Sequence, residues 1–233
     1  MKALIGILAG MGPRSTAPFV DLVVDECQRQ YGARDDEEFP PMMIYALPAP
    51  FYLDRPIDHD ALRAAIQAGL RKLASTGVAF VAMPCNTAHI HYAELAAAID
   101  VPLLNIVDEA LRAMPASAAR VALLATRPTV EAGIYQAAAA RAGIELAHTS
   151  RWQAQVDRLL GAIKSSPDRR EAEGMWRDLL DDLGANQVDT VLLACTDLNA
   201  VSQAHVGLAV LDATQCLAAA TVREWRARQT PMA

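Results

Sequence analysis

The sequence of 233 residues has no CxxC motif, no apolar run of membrane-spanning length, and no excess of positive charge. The short apolar run at residues 3–8 is followed directly by a glycine-rich loop, which argues against both a transmembrane helix and a signal peptide. A formal net charge of −6 argues against binding to nucleic acid or to an anionic membrane surface. We therefore expect a cytoplasmic protein with neither type of partner.

Sequence features typical of disulfide-rich proteins and of metal sites are also scarce. With 53% hydrophobic and 21% charged residues, the composition is that of a globular protein and not of a small disulfide-rich scaffold. The four cysteines are Cys27, Cys85, Cys195 and Cys216, and only Cys85 has a histidine, His89, near ligand spacing. One such pair is weak evidence for a metal. We expect four thiols in a reducing compartment, and no metal.

Short apolar runs alternate with amphipathic stretches along the whole chain. The predicted strands are residues 3–8, 42–47, 78–83, 101–106, 120–125, 144–148, 188–194 and 207–211. Most of them are almost continuously hydrophobic, which is typical of parallel strands covered on both faces. Predicted helices lie around residues 19–27, 62–73, 131–142, 153–163, 170–183 and 213–228, and Asp58 or Asp60 can cap the second. This alternation predicts an α/β fold with open parallel sheets.

The two halves of the sequence resemble each other. Residues 78–87 (VAFVAMPCNT) and 188–197 (VDTVLLACTD) are both apolar strands that end in a cysteine followed by polar residues. We therefore expect two pseudo-symmetric α/β domains, residues 1–114 and 115–212, with the C-terminal helix, 213–233, returning to the first.

Cys85 and Cys195 occupy the matching strand ends. Ligands of open α/β sheets bind beyond the carboxyl ends of strands, so two facing halves would present both thiols to one cleft. We expect a helix N-terminus after each cysteine, where the helix dipole favours a thiolate. Asn86, Thr87 and Thr196 can add hydrogen bonds there.

A pair of thiols on opposite sides of a substrate suits racemisation. The reaction removes an α-proton from one face and delivers one to the other, which a single base cannot easily do. An ordinary thiol has a pKa near ~8.5, so a modest lowering yields a base that works near neutrality. The alternative is that these cysteines are small buried hydrophobic residues, which is the interpretation we favour for Cys27 and Cys216.

Several motifs together resemble one known family. Residues 84–89 (PCNTAH), 194–198 (ACTDL) and 5–13 (IGILAGMGP) are similar to motifs of the aspartate/glutamate racemases, and residues 124–126 and 211–214 resemble two weaker ones. The aspartate racemase branch is the most similar. The resemblance implies a two-domain α/β fold with its active site in the cleft between domains. It also implies racemisation of an acidic amino acid, aspartate or glutamate, without pyridoxal phosphate or another cofactor, by a homodimer.

The resemblance also implies roles for individual residues. Cys85 and Cys195 would be the acid/base pair, and Arg55 and Lys164 would hold the side-chain carboxylate of the substrate. The α-carboxylate and the developing enolate would be held by side chains and loop N–H groups of Met11, Gly12, Asn86, Thr87, Thr126 and Thr196. His89 and Asp197 would not touch the substrate but would hold these binding residues in position.

Some positions depart from the family pattern. Asp197 stands where glutamate is usual, and Pro128 and Ala132 replace glycine and serine in the central loop. Arg55 could instead be an ordinary surface arginine. Lys164 precedes the loop signal Ser-Ser-Pro and could likewise be an exposed lysine. Two alternatives remain. The chain could be an isomerase or decarboxylase of a small diacid, similar to maleate isomerase, or a ligand-binding protein of the same fold that has no catalytic activity. The sequence does not determine which cysteine acts on which enantiomer.

Overall fold

The computed structural model describes residues 2–52, 55–202 and 208–229. The strands among them are β1 Ile5–Ala9, β2 Met42–Ala46, β3 Phe80–Ala82, β4 Val121–Ala125, β5 Leu146–Ala147, β6 Thr190–Ala194 and β7 Ala209–Asp212. The helices are α1 Thr16–Tyr31, α2 His59–Ala74, α3 Tyr92–Ala96, α4 Ile106–Arg112, α5 Arg127–Glu131, α6 Ile134–Arg141, α7 Ser150–Ser165, α8 Arg170–Ala185 and α9 Ala213–Ala227.

The strands form two parallel sheets. The first has the order β2-β1-β3, and Ile7 at its centre pairs with Ile44 on one side and Ala82 on the other. The second has the order β5-β4-β6-β7, and Ala125 of β4 pairs with Ala194 of β6. Every residue of β1, β4 and β6 is buried, as expected for parallel strands covered on both faces. The predicted α/β class is confirmed.

The chain divides into two compact units, Met1–Ile106 with Thr214–Ala233 and Val107–Ala213. In the first unit, α9 is tied to the N-terminal part of the chain by two hydrogen bonds. Gln215 Nε2 donates to Glu26 Oε1 at 2.6 Å, and Trp225 Nε1 donates to the Ala3 carbonyl at 3.0 Å. Residues 230–233 of the predicted C-terminal helix lie outside the described residues. The domain boundary after residue 114 stays a prediction.

Glu26 is a buried acid on α1. Burial alone would raise the pKa of its carboxyl, but hydrogen bonds from Arg29, Gln30 and Gln215 outweigh burial and lower that pKa. The carboxylate therefore stays charged and joins α1 to α9.

Several predicted elements differ from the structure. Within residues 101–106, only Leu103 bridges to Val81, and Ile106 already begins α4. Pro102 has no N–H to donate, which limits this ladder. The helix predicted over 131–142 is shorter than expected: residue 131 ends α5, and α6 begins only at Ile134, after Gly133 with φ of +67°. Residue 207 of the last predicted strand lies outside the described residues.

The predicted start of the second helix is correct. Asp58 precedes α2, and its side chain accepts a hydrogen bond from the Ala61 N–H at 2.9 Å. Across the described ranges, no helix is long and apolar enough to cross a membrane.

Candidate active site

Cys85 and Cys195 each follow the carboxyl end of a buried strand. Cys195 comes directly after β6 and its residue is 6% exposed, while Cys85 comes three residues after β3 and is partly exposed. All four cysteines are present as thiols. Cys27 and Cys216 are buried within α1 and α9, as expected of small hydrophobic residues.

The glycine-rich loop and the Cys85 segment share one edge of the first sheet. β1 and β3 are parallel neighbours, so the loop carrying Met11 and Gly12 leaves the sheet on the same side as Cys85. Asn86 and Thr87, which follow the cysteine, are buried. The structure thus brings these five predicted site residues to one edge.

The helices expected directly after the cysteines are short 3₁₀ turns, so that expectation is wrong. The turns are Thr87–His91 after Cys85 and Thr196–Ala200 after Cys195. A single short turn aligns few peptide dipoles, so it cannot provide the macrodipole of a full helix. These turns therefore do not supply the helix-dipole stabilisation of a thiolate that the sequence led us to expect.

His89 fastens the Cys85 turn to the following loop. Its Nδ1 lies 2.8 Å from the Cys85 carbonyl oxygen, and its Nε2 accepts from the Ile106 N–H at 3.3 Å. The same Nε2 also lies 3.3 Å from the Leu104 carbonyl oxygen. The ring also stacks on Tyr92, whose hydroxyl donates to the Leu103 carbonyl at 2.8 Å. His89 thus contacts the backbone of the Cys85 turn, and its supporting role in the reaction stays a prediction.

A second histidine of the same turn, His91, contacts His59 at the start of α2. His59 Nδ1 and His91 Nε2 are 3.1 Å apart, and the two rings meet edge to face. Burial and then the neighbouring His59 lower the pKa of His91. In the parts of the chain that the structure describes, no group of three or more His, Cys, Asp or Glu residues could hold a metal.

In the second unit, Thr126 and Cys195 stand side by side. Each directly follows one member of the Ala125–Ala194 pair, and adjacent strands lie roughly 4.8 Å apart. The Thr126 and Thr129 hydroxyl oxygens are 2.8 Å apart, and Thr129 is fully buried. Thr196, directly after Cys195, is also buried. Hydroxyl-bearing residues at two neighbouring strand ends therefore lie close to this cysteine along the sheet edge.

Lys164 lies in the last turn of α7 and not in an exposed loop. Its Nζ is 3.2 Å from Asp197 Oδ2, and the two side chains are 23% and 14% exposed. The turn that follows Cys195 thus carries an ion pair with Lys164.

Arg55 is exposed, and its guanidinium carbon lies 4.3 Å above the centre of the exposed Tyr52 ring. The preceding residue, Asp54, lies outside the described residues. The predicted contact of Arg55 with a substrate carboxylate stays a prediction.

Sequence reasoning missed Gln153. This buried residue of α7 donates from Nε2 to the Ala125 carbonyl at 3.2 Å and to Asp157 Oδ1 at 2.8 Å. It therefore holds the end of β4, from which Thr126 emerges. The feature of the sequence that could have indicated this role is a glutamine next to the apolar face of its helix.

Comparisons with known proteins agree with this architecture. The sequence model of the Asp/Glu/hydantoin racemase family matches residues 8–221. A broad specificity amino-acid racemase of Bacillus subtilis (strain 168), RacX, is 44% identical over 97% of this chain and 100% of its own length. The structure of an aspartate racemase from Picrophilus torridus has a TM-score of 0.81 at 26% identity, covering 96% of this chain and 94% of that one. Glutamate racemase RacE1 from Bacillus anthracis, at 14% identity, shares the fold with a TM-score of 0.64, covering 97% of this chain and 82% of that one.

Proposed function

This chain belongs to the Asp/Glu/hydantoin racemase family and is an amino-acid racemase, and we propose that Cys85 and Cys195 are its two acid/base catalysts. The observation that carries the proposal is the matched position of the two thiols. Each follows a buried strand of its own parallel sheet, beside polar side chains that come from the same edge. No other pair of cysteines in the sequence has this placement, since Cys27 and Cys216 lie within helices.

The proposed reaction needs no oxidant and no cofactor. One cysteine, as the thiolate, takes the α-proton from one face of the amino acid and becomes a thiol. The other cysteine, as the thiol, gives its proton to the opposite face of the carbanion and becomes a thiolate. The reverse direction exchanges the two roles. This mechanism requires the thiols to approach one Cα from opposite faces, in keeping with the cleft expected from the sequence.

Polar groups beside each thiol would bind the α-carboxylate and stabilise the negative charge that develops on it. Next to Cys85 these are Asn86, Thr87 and the N–H groups of the Met11–Gly12 loop. Next to Cys195 they are the hydroxyl groups of Thr126 and Thr196. Preorganised donors of this kind act where the charge develops in the transition state.

We propose that the substrates include aspartate and extend to amino acids with uncharged side chains. The aspartate racemase of Picrophilus torridus supports the first part, and the broad specificity of the Bacillus subtilis relative supports the second. The structure adds that the charge of Lys164 is balanced by Asp197. An acidic side chain would therefore depend on Arg55 for a cation.

The test is α-proton exchange in deuterated water with the L and D forms of aspartate, glutamate, asparagine and alanine. We expect deuterium at Cα and formation of the opposite enantiomer from aspartate and from at least one uncharged amino acid. Activity should survive treatment with hydroxylamine, which removes pyridoxal phosphate, and with EDTA. Absence of α-deuterium from every amino acid tested would contradict the proposal.

We further propose a cytoplasmic homodimer, because β2 is an edge strand with exposed apolar side chains. Met43 and Ile44 are 40% and 41% exposed and alternate to opposite faces of the strand. Parallel strands are normally covered on both faces, and an exposed edge strand can pair with another chain, so a second copy of the chain is a suitable partner for β2.

The proposed compartment follows from the cysteines. The reducing cytoplasm would keep the two catalytic thiols reduced.

Ile44→Asp is expected to weaken this dimer by about 100-fold or more, because it places a charge in the apolar contact. Analytical ultracentrifugation over a concentration series measures the change. The matched control is Val210→Asp, which changes a residue 36% exposed in the edge strand β7 of the other sheet and should leave the dimer intact. A monomeric wild type, or a dimer that only the β7 variant disrupts, would refute the proposed interface.

A further inference from the structure

We infer that Asp197 sets the charge selectivity of the racemase: by balancing the charge of Lys164 at the turn that follows Cys195, it weakens the preference for acidic over uncharged side chains. This inference rests on the proposed function, because it takes the substrate to bind at Cys195. Asp197 would act through Lys164 and not on the reacting atoms, so it is a positioning residue and not a catalytic one.

One member of the ion pair lies in the turn that follows the Cys195 thiol. Asp197 is the second residue of the 3₁₀ turn Thr196–Ala200, which directly follows Cys195, and the end of α7 packs against that turn. Ile163, the neighbour of Lys164 on α7, belongs to the same buried cluster as Cys195. The lysine and the cysteine are therefore held on adjoining elements by one hydrophobic core.

The pair is also more sheltered than an ordinary surface pair. The Lys164 and Asp197 side chains are 23% and 14% exposed, whereas those of Arg170 and Asp168 are 87% and 51% exposed. Solvent screens an interaction less when both charges are partly buried. The charge balance at Lys164 should therefore change the binding energy of a charged ligand nearby.

The balance has a direct effect on substrate choice. An uncompensated lysine would attract a side-chain carboxylate and would favour aspartate over asparagine. With Asp197 3.2 Å from the lysine, attraction of that carboxylate to Lys164 is opposed by repulsion from Asp197. An uncharged side chain experiences neither, so it loses nothing at this site. Lys164 is the only lysine in the sequence of the second unit.

The experiment compares kcat/KM for L-aspartate and L-asparagine, which have nearly the same shape and differ in charge. In Asp197→Asn the ratio of the two values, aspartate over asparagine, should rise by about tenfold or more, mainly through a lower KM for aspartate. The matched control is Asp182→Asn, because Asp182 is 12% exposed and pairs with Arg151 at 2.9 Å, as part of α8. The control should leave the ratio within about twofold of wild type.

Lys164→Gln supplies the opposite change, since it leaves Asp197 as an uncompensated carboxylate. The same ratio should then fall by about tenfold or more, and the double variant Asp197→Asn/Lys164→Gln should return it towards the wild-type value. Thermal melting shows which variants are folded.

An unchanged ratio in both folded single variants, or a change in the same direction in both, would overturn the inference. Equal loss of activity on both substrates in folded Asp197→Asn would also overturn it, and would indicate a role for Asp197 at Cys195 itself. Failure of the proposed function has a different result, which is a wild type without α-proton exchange on any amino acid.

Discussion

Replacing either Cys85 or Cys195 with serine is expected to lower kcat/KM for racemisation by about a thousandfold or more, equivalent to roughly 4 kcal/mol of transition-state stabilisation. A serine hydroxyl has almost the size of a thiol but is a far weaker acid, so it is neither a base nor a proton donor of matched strength near neutrality. Because the two groups act in one proton relay, the double variant should be little worse than either single variant.

The distinguishing measurement follows α-deuterium separately in the L and D enantiomers. Each single variant keeps one thiol and should exchange at most one enantiomer, and the preferred enantiomer should differ between the two variants. Cys216→Ser is the matched control, because this cysteine is buried within α9 and should not affect turnover. If either variant at a strand end racemises at the wild-type rate, the two-thiol mechanism is wrong.

Gly10→Ala is expected to destabilise the fold by about 3 kcal/mol or more, because the added methyl group has no room and the backbone is left-handed. Gly10 has φ of +92°, and a Cβ atom there would lie 2.6 Å from both the backbone nitrogen and the carbonyl oxygen of Leu47. The Leu47 N–H donates to the Ala9 carbonyl at 2.9 Å, which continues the pairing of β1 with β2. The clash is with backbone, so no side-chain rotation relieves it.

Urea denaturation of Gly10→Ala and Gly32→Ala separates the clash from the cost of the backbone conformation. Gly32 ends α1 with φ of +74°, and a Cβ atom there would meet nothing within 4 Å. The Gly32 variant should lose only about 1 kcal/mol. Similar losses in the two variants would show that the approach of Leu47 is unimportant. The Gly10 variant should also lose activity, since Met11 and Gly12 follow it directly.

Much of the fold follows from hydrophobic pattern alone. Residues 121–125 and 190–194 are uninterrupted apolar or β-branched runs, and both are fully buried central strands. Because these strands are parallel neighbours, the residues that follow them, Thr126 and Cys195, reach the same edge of the sheet. The family motifs then identified the reaction.

Local conformation was less predictable than the pattern of strands. The segment 101–106 has the composition of a strand but makes a single bridge, since Pro102 cannot donate and Ile106 begins α4. The chain after each cysteine forms a 3₁₀ turn where a helix was expected. Such differences depend on how each segment packs against its neighbours, which residue types along the chain do not report.

The sequence by itself determined the two parallel sheets and the pair of thiols at their strand ends, because burial pattern and motif spacing are local properties of the chain. Only the tertiary structure decided what surrounds those thiols. Lys164 and Asp197 are separated by 32 residues in the sequence and meet because the end of α7 packs on the turn after Cys195. The sequence therefore shows which charged residues are present, but the packing of α7 against the turn after Cys195 determines that these two form an ion pair.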